Sequence, residues 1–197
     1  NDANEDATAL AASGRPRDIA LAATIAARAG ETDALTDRID KLEAMANLEP
    51  PVLAVAGDLL VRLGEVARAF ELLERNRPAS DSPSFARAEA AILSAAQQRD
   101  RAVARLTDAY RLSGQTVDAA RAAQSLASAG RTDEALSLIE QAITTAPDDA
   151  ALATLRAAIE LDNAAITSNR EHVDPATPPL APHKRPKKQP HHTTPKL

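Results

Sequence analysis

Among 197 residues there is no cysteine and no tryptophan, and aromatic residues make up only 2%. Without cysteine neither a disulfide framework nor a thiolate metal site can be built. That absence suits a cytosol and a bacterial periplasm equally. The four histidines, His172, His183, His191 and His192, all fall at or beyond residue 172, so the body of the chain has no imidazole. General acid–base chemistry near neutral pH needs histidine or a carboxylate with a raised pKa. Neither a Ser-His-Asp nor a Cys-His arrangement can be assembled here. The carboxylate pairs that do occur, Asp148 with Asp149 and Asp33 with Asp37, read as helix caps and complements to the helix dipole. Phosphate-binding loops, calcium loops and zinc spacings are missing as well. No catalytic residue, cofactor or metal is therefore expected. No run of eighteen apolar residues occurs, so no membrane-spanning helix is expected either.

What the chain has instead is alanine. Hydrophobic residues reach 44%, and small alanine supplies much of that total. At roughly 25 cal/mol per Å² buried, alanine faces stabilise a fold only where many shallow contacts add up, as in helices stacked side by side. Alanine, leucine, arginine and glutamate are good helix formers, and the β-branched and aromatic runs of strands are lacking. The expected class is all-α.

Charge is unevenly placed. From Pro175 onward there is no acid, while Lys184, Arg185, Lys187, Lys188 and Lys196 give +5; the total of −5 leaves −10 for residues 1–174. In that body Lys41 is the sole lysine beside 17 arginines. Such Ala/Arg-rich, Lys-poor usage suggests a GC-rich bacterial source. The opening Asn1-Asp2-Ala3, with no Met and no basic-then-apolar leader, is what a processed chain or a piece of a longer one presents.

Internal repetition organises the body. The clearest segment runs from Ala129-Gly130 through Ala135, Ile139, Ala142 and Pro147. Gly130 suits a helix C-terminus in the left-handed conformation, and Leu136, Ile139 and Ile143 recur at helical spacing. Pro147 closes that helix, and Asp148 or Asp149 can cap the next. Stepping back by 33 residues, Ala135 becomes Ala102 and Ala69, Ile139 becomes Leu106 and Leu73, and Ala123 becomes Ala90 and Gly57. Gly130 becomes Gln97 and Gly64, and Ala142 becomes Ala109 and Asn76. One further step of 34 reaches Gly30, with Ala23, Ile39 and Leu42 in place but Leu35 where alanine is expected. Gln97, Asn76 and Leu35 are thus the departures from the pattern.

The period and these small positions resemble the tetratricopeptide repeat family, in which small residues at the eighth, twentieth and twenty-seventh places let two antiparallel helices pack closely. The resemblance covers residues 16–162 and implies a right-handed α-solenoid of antiparallel helix pairs. Its units would be 16–49, 50–82, 83–115 and 116–149, with an end helix over 149–162 covering the last apolar face. Residues 1–15 read as an N-terminal segment or the remnant of a preceding repeat. Residues 163–197, with seven prolines from Pro175 onward, read as a disordered Pro/Lys/His-rich tail. Its histidines offer incidental metal affinity at most. Its basic run suits non-specific contact with an anionic surface.

In this family the first helix of each repeat lines a concave groove. Carried onto this sequence, the groove includes Arg17, Arg28, Val55, Asp58, Arg62, Arg87, Arg121 and Gln124, with Leu21, Thr24 and Ser94 beside them. Arginine forms bidentate pairs with carboxylates, so the implied partner is a protein or peptide, with an acidic or C-terminal peptide as the specific candidate. The competing reading is a solvated face whose arginines bond neighbouring acids. No groove lysine exists, unlike the lysine/asparagine clamp of chaperone-binding members. Specific nucleic-acid binding is not expected of an acidic body, because phosphate contact dominates such binding. The implied function is a non-catalytic interaction scaffold in a bacterial assembly, envelope-associated or cytosolic. The alternative is the repeat portion of a larger enzyme or polysaccharide-export machine.

Overall fold

The structure is a computed structural model that describes residues 2–172. Ten α-helices follow one another among the described residues: α1 (Asp2–Ala12), α2 (Pro16–Ala29), α3 (Thr32–Glu43), α4 (Pro50–Arg62), α5 (Val66–Arg75), α6 (Pro83–Ala95), α7 (Arg99–Ser113), α8 (Thr116–Ser128), α9 (Thr132–Thr145) and α10 (Ala150–His172). Helices α2 to α9 form four hairpins, α2–α3, α4–α5, α6–α7 and α8–α9. Proline opens α2, α4 and α6, where its missing N–H costs nothing and its fixed φ suits a helix start.

One turn joins the two helices of every hairpin. The backbone N–H groups of Glu31, Glu65, Gln98 and Arg131 donate to the carbonyls of Ala26, Leu60, Leu93 and Leu126, at 2.8–3.0 Å. That is the six-to-one bond of a Schellman motif, which requires a left-handed residue just before the donor. Gly30, Gly64 and Gly130 meet the need with φ of 74°, 85° and 77°, and Gln97 takes φ 60° at the same place. The turn is therefore retained where its glycine is not.

The small residues of the repeat pattern are buried between the helices. Ala23, Ala69, Ala123, Ala135 and Ala142 are fully buried, and so are Ala90 and Ala102 to within 2%. Asn76, the polar member of its series, accepts from the Leu48 N–H at 2.8 Å and donates to the Leu72 carbonyl at 2.8 Å. It thereby ties the linker before α4 to the end of α5. Larger side chains concentrate in the first half, where Ile19, Ile39, Leu42, Leu53, Leu60, Leu72 and Leu73 join Phe85 and Ile92 of α6. The second half is held by alanines with Leu126, Ile139, Leu152 and Ile159.

Helix α1 shares the register of a second helix. Ser13 donates to Asp18 at 2.8 Å and accepts from the Arg15 N–H, and a hundred residues later Ser113 donates to Asp118 at 2.7 Å and accepts from the Gln115 N–H. Gly14 and Gly114 both have positive φ. Asp6 and Ala9, in the places of the buried Leu106 and Ala109 of α7, are exposed.

At the other end one expectation is corrected. Helix α10 does not stop at residue 162 but runs to His172, so the first ten residues assigned to a disordered tail are helical. Between Asn163 and His172 there is no proline or glycine, and alanine and arginine propagate a helix already nucleated on the array. The rest of the tail lies outside the described residues.

Candidate functional site

The eight groove residues do not form one site. Arg28, Val55, Asp58 and Arg62 converge, with Thr24, on a cleft of about 590 Å³ between α2 and α4. Leu35, Leu59, Leu63 and Ala54 line it beneath them. Val55 remains 36% exposed there. On the rim Arg62 pairs with Asp58 at 2.8 Å, one helical turn away. Arg28, in the last turn of α2, is exposed and makes no hydrogen bond or ion pair among the described residues.

The remaining arginines are placed differently. Arg17 pairs with Glu49 at 2.6 Å and so links α2 to the start of α4. Arg87 forms a fork onto Asp118, Nε to Oδ1 at 2.7 Å and Nη2 to Oδ2 at 2.6 Å, while Nη2 also reaches Gln115 at 2.8 Å. Asp118 is fully buried. Burial alone pushes its carboxyl up, but hydrogen bonds from Arg87 and Ser113 and the nearby charge of Arg121 outweigh this and hold it below the usual carboxylate range. Arg87 is thus occupied as a bolt between α6 and α8. Arg121 is exposed, and its side chain makes no hydrogen bond among the described residues. Gln124 lines a separate, smaller cleft between α6 and α8.

Similar bolts cross every repeat junction. Arg68 of α5 pairs with Asp40 and Glu43 of α3. Arg77 reaches Glu89 at 3.4 Å, and Arg105 reaches Asp81 at 3.2 Å, so the α5–α6 linker is clamped onto α6 and α7. Arg131 meets Asp100 at 3.2 Å, and Arg156 of α10 meets Glu140 of α9 at 3.3 Å. Much of the arginine content of this acidic body therefore stitches neighbouring units together.

Residues that the groove assignment missed include Leu35, Leu59 and Leu63 in the larger cleft, and Gln97, Arg99, Ser125 and Ser128 in the smaller. A signal for two of them was present. Leu35 and Gln97 are departures from the repeat pattern, and each lines a cleft.

The chain superposes on a thermophilic TPR protein of Thermus thermophilus, TTC0263, with a TM-score of 0.52 and 23% identity over 75% of this chain and 82% of that one. It has the tetratricopeptide-repeat fold. Helices α2 to α9 thus form a right-handed α-solenoid of antiparallel helix pairs. YrrB, described as a TPR protein with an unusual peptide-binding site, is also similar, at a TM-score of 0.44 and 19% identity over 81% of each chain. No protein-family model matches the sequence, and no curated protein matches it. Among the described residues no cluster of three or more His, Cys, Asp or Glu could hold a metal, and no helix is long and apolar enough to cross a membrane.

Proposed function

We propose that this TPR array is a non-catalytic scaffold that holds a segment of a partner protein against the face presented by α2, α4, α6 and α8. One observation carries the reading. The cleft between α2 and α4, whose lining also includes Glu31 and Asp58, sets Arg28, which makes no ion pair among the described residues, beside apolar side chains including the half-open Val55. A guanidinium left uncommitted beside apolar surface suits a ligand with a carboxylate next to an apolar side chain. An acidic peptide segment or a free C-terminus has that chemistry. The Ala/Arg-rich, Lys-poor composition supports a bacterial assembly as the setting.

The experiment is selection of random dodecapeptides displayed on phage against the full chain. Enriched peptides should carry Asp, Glu or a terminal carboxylate beside a large apolar residue. Arg28→Glu and Val55→Asp should each weaken their binding tenfold or more. Arg131→Ala, in a different cleft between α7 and α9, should leave it unchanged. Wild-type binding by both the Arg28 and Val55 variants would overturn the assignment.

A further inference from the structure

Three hairpin turns use glycine at the left-handed position, and the third hairpin uses Gln97 at φ 60°. Left-handed backbone is unfavourable for a residue with a Cβ, and strain of this kind persists where the surrounding structure holds it, often at binding sites. The turn itself does not require glutamine, since glycine makes the same bond in the other hairpins. What Gln97 adds is its side chain.

That side chain lines a cleft of about 410 Å³ between the C-terminal ends of α6 and α8. Ser94, Arg99, Gln124, Ser125 and Ser128 share the lining. Ser128 is committed, donating to the Gln124 carbonyl at 2.8 Å. The side chains of Ser94, Gln97, Arg99, Gln124 and Ser125 make no hydrogen bond or ion pair among the described residues. Arg99 is the cleft's single charge, and no carboxylate faces it. Elsewhere the arginines are largely engaged within the chain; Arg28, Arg99 and Arg121 stand apart in making no bond among the described residues.

We infer that this cleft is a second recognition subsite, which takes a carboxylate-bearing stretch of the same partner peptide, with Gln97 as its specificity-determining residue. The inference rests on the peptide-binding reading above. Arg99 supplies a charge-assisted fork for the carboxylate. The Gln97 and Gln124 amides each offer a donor pair and an acceptor, the complement of a peptide main chain. The subsite lies two repeats beyond the Arg28 cleft and at the matching place in its hairpin, beside the turn. A ligand reaching both has its apolar anchor at α2–α4 and a second acid at α6–α8.

Full-chain variants test this with the selected dodecapeptides. Gln97→Gly should raise the urea midpoint, because it relieves the left-handed strain, and yet weaken peptide binding about tenfold. A turn residue with a structural role alone would not move the two in opposite directions. Arg99→Ala should weaken binding with little change in midpoint. Replacing the peptide's distal acid by its amide should weaken binding to wild type but not further weaken binding to Arg99→Ala. If both variants bind as wild type while Arg28→Glu does not, the groove stands and the second subsite falls. If wild type retains no peptide, or if Arg28→Glu, Val55→Asp and Gln97→Gly all bind as wild type, both readings fall.

Discussion

A methyl group added at Gly57 would lie 2.4 Å from Cδ1 and Cγ1 of Ile92, a side chain with no exposed surface. Glycine in mid-helix is ordinarily a liability of about 1 kcal/mol relative to alanine, so a substitution at an open site would stabilise. Here α4 and α6 meet at this position, and overpacking of a filled core costs ~1–3 kcal/mol. Gly57→Ala should therefore lower stability in urea unfolding, and Ile92→Val in the same chain should recover part of the loss. Gln97→Gly has the opposite sign: glycine takes the left-handed turn without strain, so stability should gain about 1 kcal/mol. Asp118 gives a pH-dependent case. Its folded pKa is depressed, so its contribution to stability is present above the ordinary carboxylate range and lost as pH falls through the folded pKa. Arg87→Ala leaves a buried carboxylate with Ser113 as its remaining side-chain partner and should cost about 3 kcal/mol at pH 7. Without Arg87 the burial of Asp118 is opposed only by Ser113 and the charge of Arg121, and protonation removes the poorly compensated charge. The deficit of the variant should therefore shrink when both proteins are unfolded below about pH 4. An equal deficit at pH 7 and in acid would show that the charge pair is not what bolts α6 to α8.

Helices and hairpins were legible in the sequence because their signals are local. Periodic Leu, Ile and Ala, prolines at the starts of α2, α4 and α6, and glycines at three turns each act within a few residues. Gln97 shows where that reasoning runs short, since the turn's bond is made by the backbone of Gln98 and Leu93 and tolerates a residue the pattern does not name. Helix α10 shows a second limit: its last turns follow propensity rather than an apolar stripe, as the exposure of Leu161 and Ile166 makes plain. The candidate site was less legible than the fold. Whether an arginine faces a ligand or a carboxylate thirty residues away is decided in three dimensions, as Arg17 and Arg87 illustrate. The end helix carries its own prediction. Leu152 is 1% exposed and packs with Ile139 and Ala142, so Leu152→Ala should cost ~2–5 kcal/mol of local stability. Because a solenoid repeat contacts only its neighbours, hydrogen exchange should quicken in α8, α9 and α10 and stay unchanged in α2 to α4. Uniform quickening would mean that the array melts as one unit.

Two unequal cores make up the array as a whole. The first gathers large aliphatic side chains from α2 to α6 with Phe85, whereas the second relies on alanine around a few larger residues of α7 to α10. Between them lies a thin seam of Ala90, Leu106 and Ala122. Arginine pairs cross the seam at Arg87–Asp118 and at Arg105–Glu89, the latter at 2.7 Å, but shielded pairs lose much of their attraction to desolvation. Buried apolar area thus favours the first core, and the seam transmits only part of that stability. Unfolding in urea should then be stepwise, with amides of α8 to α10 losing protection at lower denaturant than those of α2 to α5. Hydrogen exchange read by mass spectrometry across the titration resolves the two, and a single coincident transition for all helices would refute the division. The smaller cleft at Gln97 sits on the side that opens first. A peptide that bridges both clefts therefore binds the closed array and not the partly opened one, and by linkage it should raise the lower transition more than the upper. Arg99→Ala should abolish that differential shift, since it removes the contact on the weaker side of the seam while leaving both cores intact.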